Sequence, residues 1–69
     1  MENTFTTKVG LIILSHLEDM ELEISTNPEM AFKRMRLVRR LISEYPDTNV
    51  RISDEKLDEL WNGLSLGEF

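Results

Sequence analysis

Two proline-containing breaks, STNP and YPDTN, constrain the fold of this chain more than any other feature. Pro28 suits the first position of a helix, where its missing N–H is not needed, and Asn27 before it is a good N-cap. Pro46 disfavours helical geometry in Tyr45, so a helix that begins at Pro28 should end there. The breaks therefore predict a helix over about residues 28–45.

Two further helices are predicted on either side of it. Ser53 is a second N-cap candidate, and acidic residues in the next two positions suit the positive end of a helix dipole. The first helix rests on apolar spacing alone, and the alternative for its start, KVGLIIL, is a strand. The resulting fold class is an all-α, compact three-helix bundle, one helical domain over residues 1–69, with a short extended link and a C-terminal tail. The predicted helices span about 7–24, 28–45 and 54–62.

The first helix carries more apolar residues than one core face can use. Its predicted core face contains Val9, Ile12, Ile13, His16, Leu17, Met20 and Ile24. Leu11 and Leu22 lie on a second apolar face of the same helix. A bundle of this size does not easily cover both faces. The second face therefore predicts a homo-oligomer, with Leu11 and Leu22 at a homodimer interface. The alternatives are scattered exposed hydrophobic residues, or cover by Leu64, Leu66 and Phe69 of the tail.

Self-association would also supply stability that a short chain lacks. A chain of 69 residues buries only about 60% of the surface that its unfolded form exposes, and domains of this size usually need a disulfide, a metal, very good packing or a partner chain. The sequence has no cysteine and one histidine, which excludes disulfides, thiolate zinc sites and His-rich sites. Packing and oligomerisation remain.

Charge is distributed unevenly between the helices. The net charge is −5, yet residues 28–45 contain five bases and two acids, for +3. Residues 8–24 carry −3 and residues 46–69 carry −4. A positive helix between two negative segments fits neighbouring helices that attract one another, although each exposed pair contributes only about 0–1 kcal/mol. The same positive helix is also the candidate binding surface.

The helical wheel divides the basic residues of this helix into two groups. Lys33, Arg36 and Arg40 lie opposite its apolar face, with Arg39 and Phe32 beside them, and form a solvent-facing stripe that could bind a partner. Arg34 falls within the apolar face. Its stem can lie along the core while the guanidinium reaches a carboxylate, or its face can contact another chain, where arginine is enriched. The predicted partner-binding residues are Phe32, Lys33, Arg34, Arg36 and Arg40.

A protein is a better partner for this stripe than a nucleic acid. The break before the second helix resembles a helix-turn-helix connection, but the residues that would read bases include Glu29, which phosphates repel. The acidic balance of the whole chain also differs from that of nucleic-acid-binding domains. Nucleic-acid binding through the basic second helix is nevertheless kept as the alternative function.

No residue spacing in the sequence matches a catalytic, phosphate-binding or metal-binding motif. His16 has no serine and carboxylate placed for nucleophilic catalysis, and the acidic residues of the first and third helices spread around each helix instead of converging. Glycine-rich phosphate loops and metal-ligand motifs are absent from the sequence. We therefore expect no enzyme, no cofactor, no metal, no membrane segment and a cytoplasmic location. The predicted function is a small acidic protein–protein interaction module that acts as a regulator, adaptor or inhibitor.

Overall fold

The structure, a computed structural model, describes residues 5–64. Within this range the chain forms three helices and a small two-stranded sheet, and most of the described residues are helical. The three helices lie close to their predicted positions. In chain order the elements are β1 (Thr6–Lys8), α1 (Val9–Thr26), α2 (Pro28–Glu44), β2 (Arg51–Ser53) and α3 (Asp54–Asn62).

Both predicted N-caps are present. The side-chain oxygen of Asn27 accepts a hydrogen bond from the backbone N–H of Met30 at 3.4 Å. The Ser53 hydroxyl accepts one from the backbone N–H of Lys56 at 3.1 Å. Each bond satisfies an amide of the first helical turn that has no partner inside the helix. Because Asn27 alone separates α1 from α2, the two helices fold back on each other and form the most extensive contact between elements.

The two-stranded sheet is the part of the fold that an all-α prediction omits. β1 and β2 are antiparallel, with Thr6 opposite Ser53, Thr7 opposite Ile52 and Lys8 opposite Arg51. The sequence predicted a helix from about residue 7 and an extended link near residues 50–52. The link is present as β2, and Thr6 and Thr7 pair with it. Their β-branched side chains favour extended backbone. The first helix consequently begins at Val9.

The start of α1 is held against the loop that precedes β2. The backbone N–H of Val9 donates to the carbonyl of Val50 at 2.9 Å, and that of Gly10 donates to the carbonyl of Thr48 at 3.0 Å. A Cβ at position 10 would lie 3.3 Å from the Thr48 Cβ. Glycine therefore permits this close approach of helix and loop.

The core lies where this end of α1 meets α2, β2 and α3. Leu37, Leu41 and Val9 are its fully buried large side chains. Leu57, Trp61 and Leu64 are partly buried against it. The rest of the buried cluster consists of Ile12, Ile13, Val38, Ile52 and Leu60. The apolar face of α2 contributes Leu37, Val38 and Leu41 to this core, whereas Ile42, which the helical wheel also places on that face, is 54% exposed.

The far half of α1 differs from its prediction. Leu17 and Ile24 were expected in the core, but they are 44% and 68% exposed. The buried residues of α1 all lie between Val9 and Ile13. With a rise of about 1.5 Å per residue, the 9-residue α3 is half as long as the 18-residue α1 and does not cover its whole length. The apolar stripe of α1 thus continues beyond the core it was expected to fill.

Two remaining expectations concern the tail and the membrane. Leu64 packs against the core, whereas Leu66 and Phe69, predicted to cover a second apolar face, lie outside the described residues. None of the helices within residues 5–64 has the length and apolar character needed to cross a membrane.

Candidate partner-binding site

The five predicted partner-binding residues of α2 fall into two different surroundings. Arg34 and Lys33 face Trp61 of α3. Phe32, Arg36 and Arg40 line an open groove on another side of the helix. The sequence separated only Arg34 from the other four, whereas the structure also separates Lys33, because Lys33 lies over Trp61 of α3.

Arg34 is the centre of a polar network between α1 and α2. Its Nε and Nη2 donate to the two carboxylate oxygens of Glu23 at 2.7 and 3.1 Å. Its Nη1 lies 2.9 Å from His16 Nδ1 and 3.4 Å from the Asp19 carboxylate. The Arg34 and Glu23 side chains are only 19% and 22% exposed. The sequence left two alternatives for Arg34, an internal carboxylate or a contact with another chain. In the structure its guanidinium binds a carboxylate of its own chain.

The network fixes the protonation of His16. Arginine only donates, so Nδ1 of His16 must accept, which requires the neutral ring with its proton on Nε2. Burial, and then the charge of Arg34, lower the pKa of His16 from its usual value of 6.5, while Asp19 and Glu23 act in the opposite direction. The hydrogen bond to Glu23 raises the pKa of Arg34.

Trp61 attaches α3 to this network. Its ring stacks on that of His16, with 5.8 Å between centroids and 22° between planes. Lys33 Nζ lies 4.3 Å from the centroid of a Trp61 ring, and Arg34 Cζ lies 5.6 Å from it. These distances allow cation–π attraction, in which a cation faces the negative surface of an aromatic ring. Lys33 and Arg34 are thus engaged inside the fold.

The groove on α2 combines an apolar floor with positive charge. Phe32 and Met35 supply apolar surface, and Leu64 adds to it from beyond α3. The other lining residues are Arg36, Arg39, Arg40 and Ser43, and the groove has a volume of about 780 Å³. We call this set the α2 groove. It is an arginine-rich concave surface on a chain that is acidic overall.

The arginines of the α2 groove differ in whether their guanidinium groups have hydrogen-bond acceptors. Arg40 Nε donates to Glu44 one turn away at 2.7 Å. Within residues 5–64, the guanidinium groups of Arg36 and Arg39 make no hydrogen bond or ion pair, and Nη1 of Arg36 is buried. A buried donor without an acceptor costs about 1–3 kcal/mol. A carboxylate that entered the groove would offer acceptors to these two guanidinium groups.

A second concave surface lies on α1, and we call it the α1 face. Its apolar members are exposed or half-buried, and three of them, Leu17, Met20 and Ile24, belong to the stripe that continues beyond the core. Between them stand two acidic side chains, Glu18 and Glu21. The surface is formed by Leu14, Leu17, Glu18, Met20, Glu21 and Ile24, with a volume of about 350 Å³. The predicted interface residues Leu11 and Leu22 are also exposed on α1 but do not line this surface.

Sequence reasoning missed some members of the α2 groove. Arg39 was placed beside the basic stripe, but it was not among the predicted partner-binding residues. Its spacing of three and seven residues from Arg36 and Phe32 was the available signal. The contribution of Leu64 depends on where α3 ends in space, and no pattern within α2 could have shown it.

Among the described residues, no three histidine, cysteine or acidic side chains are grouped as metal ligands. No family model, no curated protein and no solved structure matches this chain. The function has to be inferred from the surfaces themselves.

Proposed function

We propose that this chain is a three-helix-bundle domain that binds another protein through the α2 groove and thereby acts as a regulator, adaptor or inhibitor of that protein. One observation carries the proposal. The groove holds two arginines, Arg36 and Arg39, without an acceptor inside residues 5–64, next to an apolar floor. Internal ion pairing accounts for Arg34 but does not account for them.

The composition of the groove defines the partner. Arginine binds carboxylates with two parallel hydrogen bonds, and it is enriched with phenylalanine and methionine at protein interfaces. Phe32 and Met35 offer apolar contact between the guanidinium groups. A helix or extended segment with apolar side chains and at least two acidic ones fits this surface. Lys33 and Arg34 do not line the groove, but they contribute to it indirectly because their contacts with Trp61 attach α3 to α2.

Nucleic acid is the alternative ligand for three neighbouring arginines. Phosphate contacts need positive charge, whereas the apolar floor adds little to them and the net charge of −5 opposes them. An acidic and apolar protein segment uses both properties of the groove. We therefore favour a protein partner, and the test below separates the two.

The test is capture from a native cell extract with tagged chain. We expect the wild type to retain one protein in fixed stoichiometry, and Arg39→Glu with Arg40→Glu to lose it, because the charge of the groove is reversed. Lys8→Glu with Lys56→Glu is the matched control, since both lysines are exposed and outside the groove and the change in net charge is the same. This control should retain the partner.

A partner that binds both double variants equally contradicts the proposed groove. Nuclease treatment and a salt series distinguish the alternative: captured nucleic acid, released steeply as salt rises, means that the groove binds phosphates. Binding of the isolated partner should shift the amide resonances of Phe32, Arg39 and Ser43 in the labelled chain. Shifts confined to other residues would place the site elsewhere.

A further inference from the structure

We propose that a second copy of this chain docks its α1 face in the α2 groove, an inference that rests on the proposed function because it assigns an occupant to the same groove. The two concave surfaces have matching composition. Both have an apolar floor, and one is edged by acidic residues where the other is edged by arginines.

The α1 face has the chemistry expected of a ligand for the groove. Leu14, Leu17 and Ile24 follow helical spacing and are all exposed. Glu18 and Glu21 stand among them, and neither forms an ion pair within residues 5–64. This is the acidic, apolar helix face that the α2 groove would bind.

The unpaired charges on the two surfaces correspond in number and spacing. Glu18 and Glu21 are three residues apart, and so are Arg36 and Arg39. Residues at this separation lie about 5–6 Å apart on one side of a helix. Two carboxylates and two guanidinium groups can therefore meet as two pairs when α1 of one copy lies along α2 of another.

Pairing of α1 with α1 of a second copy is the less favourable arrangement. It would bring the acidic residues of two segments together, each with a net charge of −3 over residues 8–24. Like charges placed opposite one another weaken association. Contact between α1 and α2 instead brings a segment of −3 against one of +3. Charge complementarity thus selects α2 as the surface that covers the α1 face.

Self-association in this form has a regulatory consequence. The second copy occupies the surface through which the proposed heterologous partner binds. A copy whose groove is filled is then available to that partner only after the two copies separate. Dilution, or a partner with higher affinity, would release the groove.

The test is a charge exchange between two variants of the purified chain. We expect the wild type to associate as its concentration rises in sedimentation equilibrium. Glu18→Lys with Glu21→Lys, and separately Arg39→Glu with Arg40→Glu, should each associate roughly tenfold more weakly or worse, because like charges then face each other. An equimolar mixture of the two variants should recover association, since the unaltered α1 face of one variant can dock in the unaltered α2 groove of the other.

Three results would overturn this proposal. They are a wild type that stays monomeric at all concentrations, a mixture that does not recover, and loss of association in Leu11→Glu with Leu22→Glu, the control outside both surfaces. Circular dichroism of each variant verifies folding. If one variant does not fold, dilution of the labelled wild type gives a second test, because amides of Leu17 and Arg39 should shift together. Capture of a heterologous partner does not depend on these results, so the two proposals can fail separately.

Discussion

At the scale of single residues, Arg34 has the largest number of polar contacts. Its guanidinium reaches Glu23, His16 and Asp19 on α1 and lies over Trp61 on α3. The residue is long enough to connect three helices from a position within the apolar face of α2. A shorter or apolar side chain at this position would satisfy the core but would leave the carboxylate of Glu23 without its partner.

Arg34→Met should lower the free energy of unfolding by about 1–3 kcal/mol, because a mostly buried carboxylate loses two charge-assisted hydrogen bonds. Arg34→Lys should cost less, since it keeps the charge and loses the two-bond geometry. Urea unfolding followed by circular dichroism measures both. A stability of Arg34→Met equal to that of the wild type would show that the network contributes little.

His16 should make stability depend on pH. The folded state favours its neutral form, so the pKa of His16 is lowered on folding from 6.5. As pH falls below 6.5, the unfolded chain binds the proton first, and stability is lost progressively until the pH passes below the folded pKa. The groups that face the ring are Arg34, Asp19, Glu23 and Trp61.

This dependence should be absent from His16→Asn, which does not titrate, and the difference between the two unfolding curves isolates the histidine from the carboxylates. Titration of the wild-type imidazole by NMR should give a pKa below 6.5. A pKa above 6.5 would mean that Asp19 and Glu23 outweigh burial and Arg34, and the sign of the effect would reverse.

At the scale of elements, the helix starts depend on caps of unequal quality. The bond to the Ser53 hydroxyl is 3.1 Å long, and the one to the Asn27 side chain is 3.4 Å long. Asn27 shares its role with Pro28, which already suits the first helical position. The cap of α3 should therefore contribute more to stability than the cap of α2.

Ser53→Ala should destabilise the protein by about 1 kcal/mol, and Asn27→Ala by less. Ser15→Ala is a matched control, because Ser15 is exposed inside α1, where alanine is the better helix former. Thermal unfolding of the three variants ranks them. Equal losses for Ser53→Ala and Ser15→Ala would show that the cap bond does not contribute.

The elements also show how far sequence reasoning reaches. Proline, asparagine and serine act on their immediate neighbours, so the starts of α2 and α3 could be predicted from the chain alone. The strand at residues 6–8 could not, because it depends on β2 lying beside it. The exposure of Leu17 and Ile24 was missed for a similar reason, since periodicity shows that a face is apolar but not how much of it a short α3 can cover.

At the scale of the whole molecule, the α2 groove and the α1 face both exist because the short α3 covers only part of the two long helices. The core occupies the end of α1 near the sheet, and α3 attaches to α2 on the side of Lys33 and Arg34. The far half of α1 and another side of α2 therefore remain at the surface, one acidic and one basic. The sequence predicted a basic surface on α2, whereas it assigned Leu17, Met20 and Ile24 of the α1 face to the core. The composition of the two surfaces therefore required the coordinates.

The pairing of β1 with β2 has a consequence for the order in which the chain folds. Arg51 Nη1 donates to the carbonyl of Thr6 at 3.2 Å across 45 residues of sequence, and both long helices lie inside this loop. Closing a long loop costs more chain entropy than joining helices separated by one residue. We expect the α1–α2 hairpin to assemble early and the sheet to close late. We therefore expect separation of β1 from β2 to be the first step of unfolding.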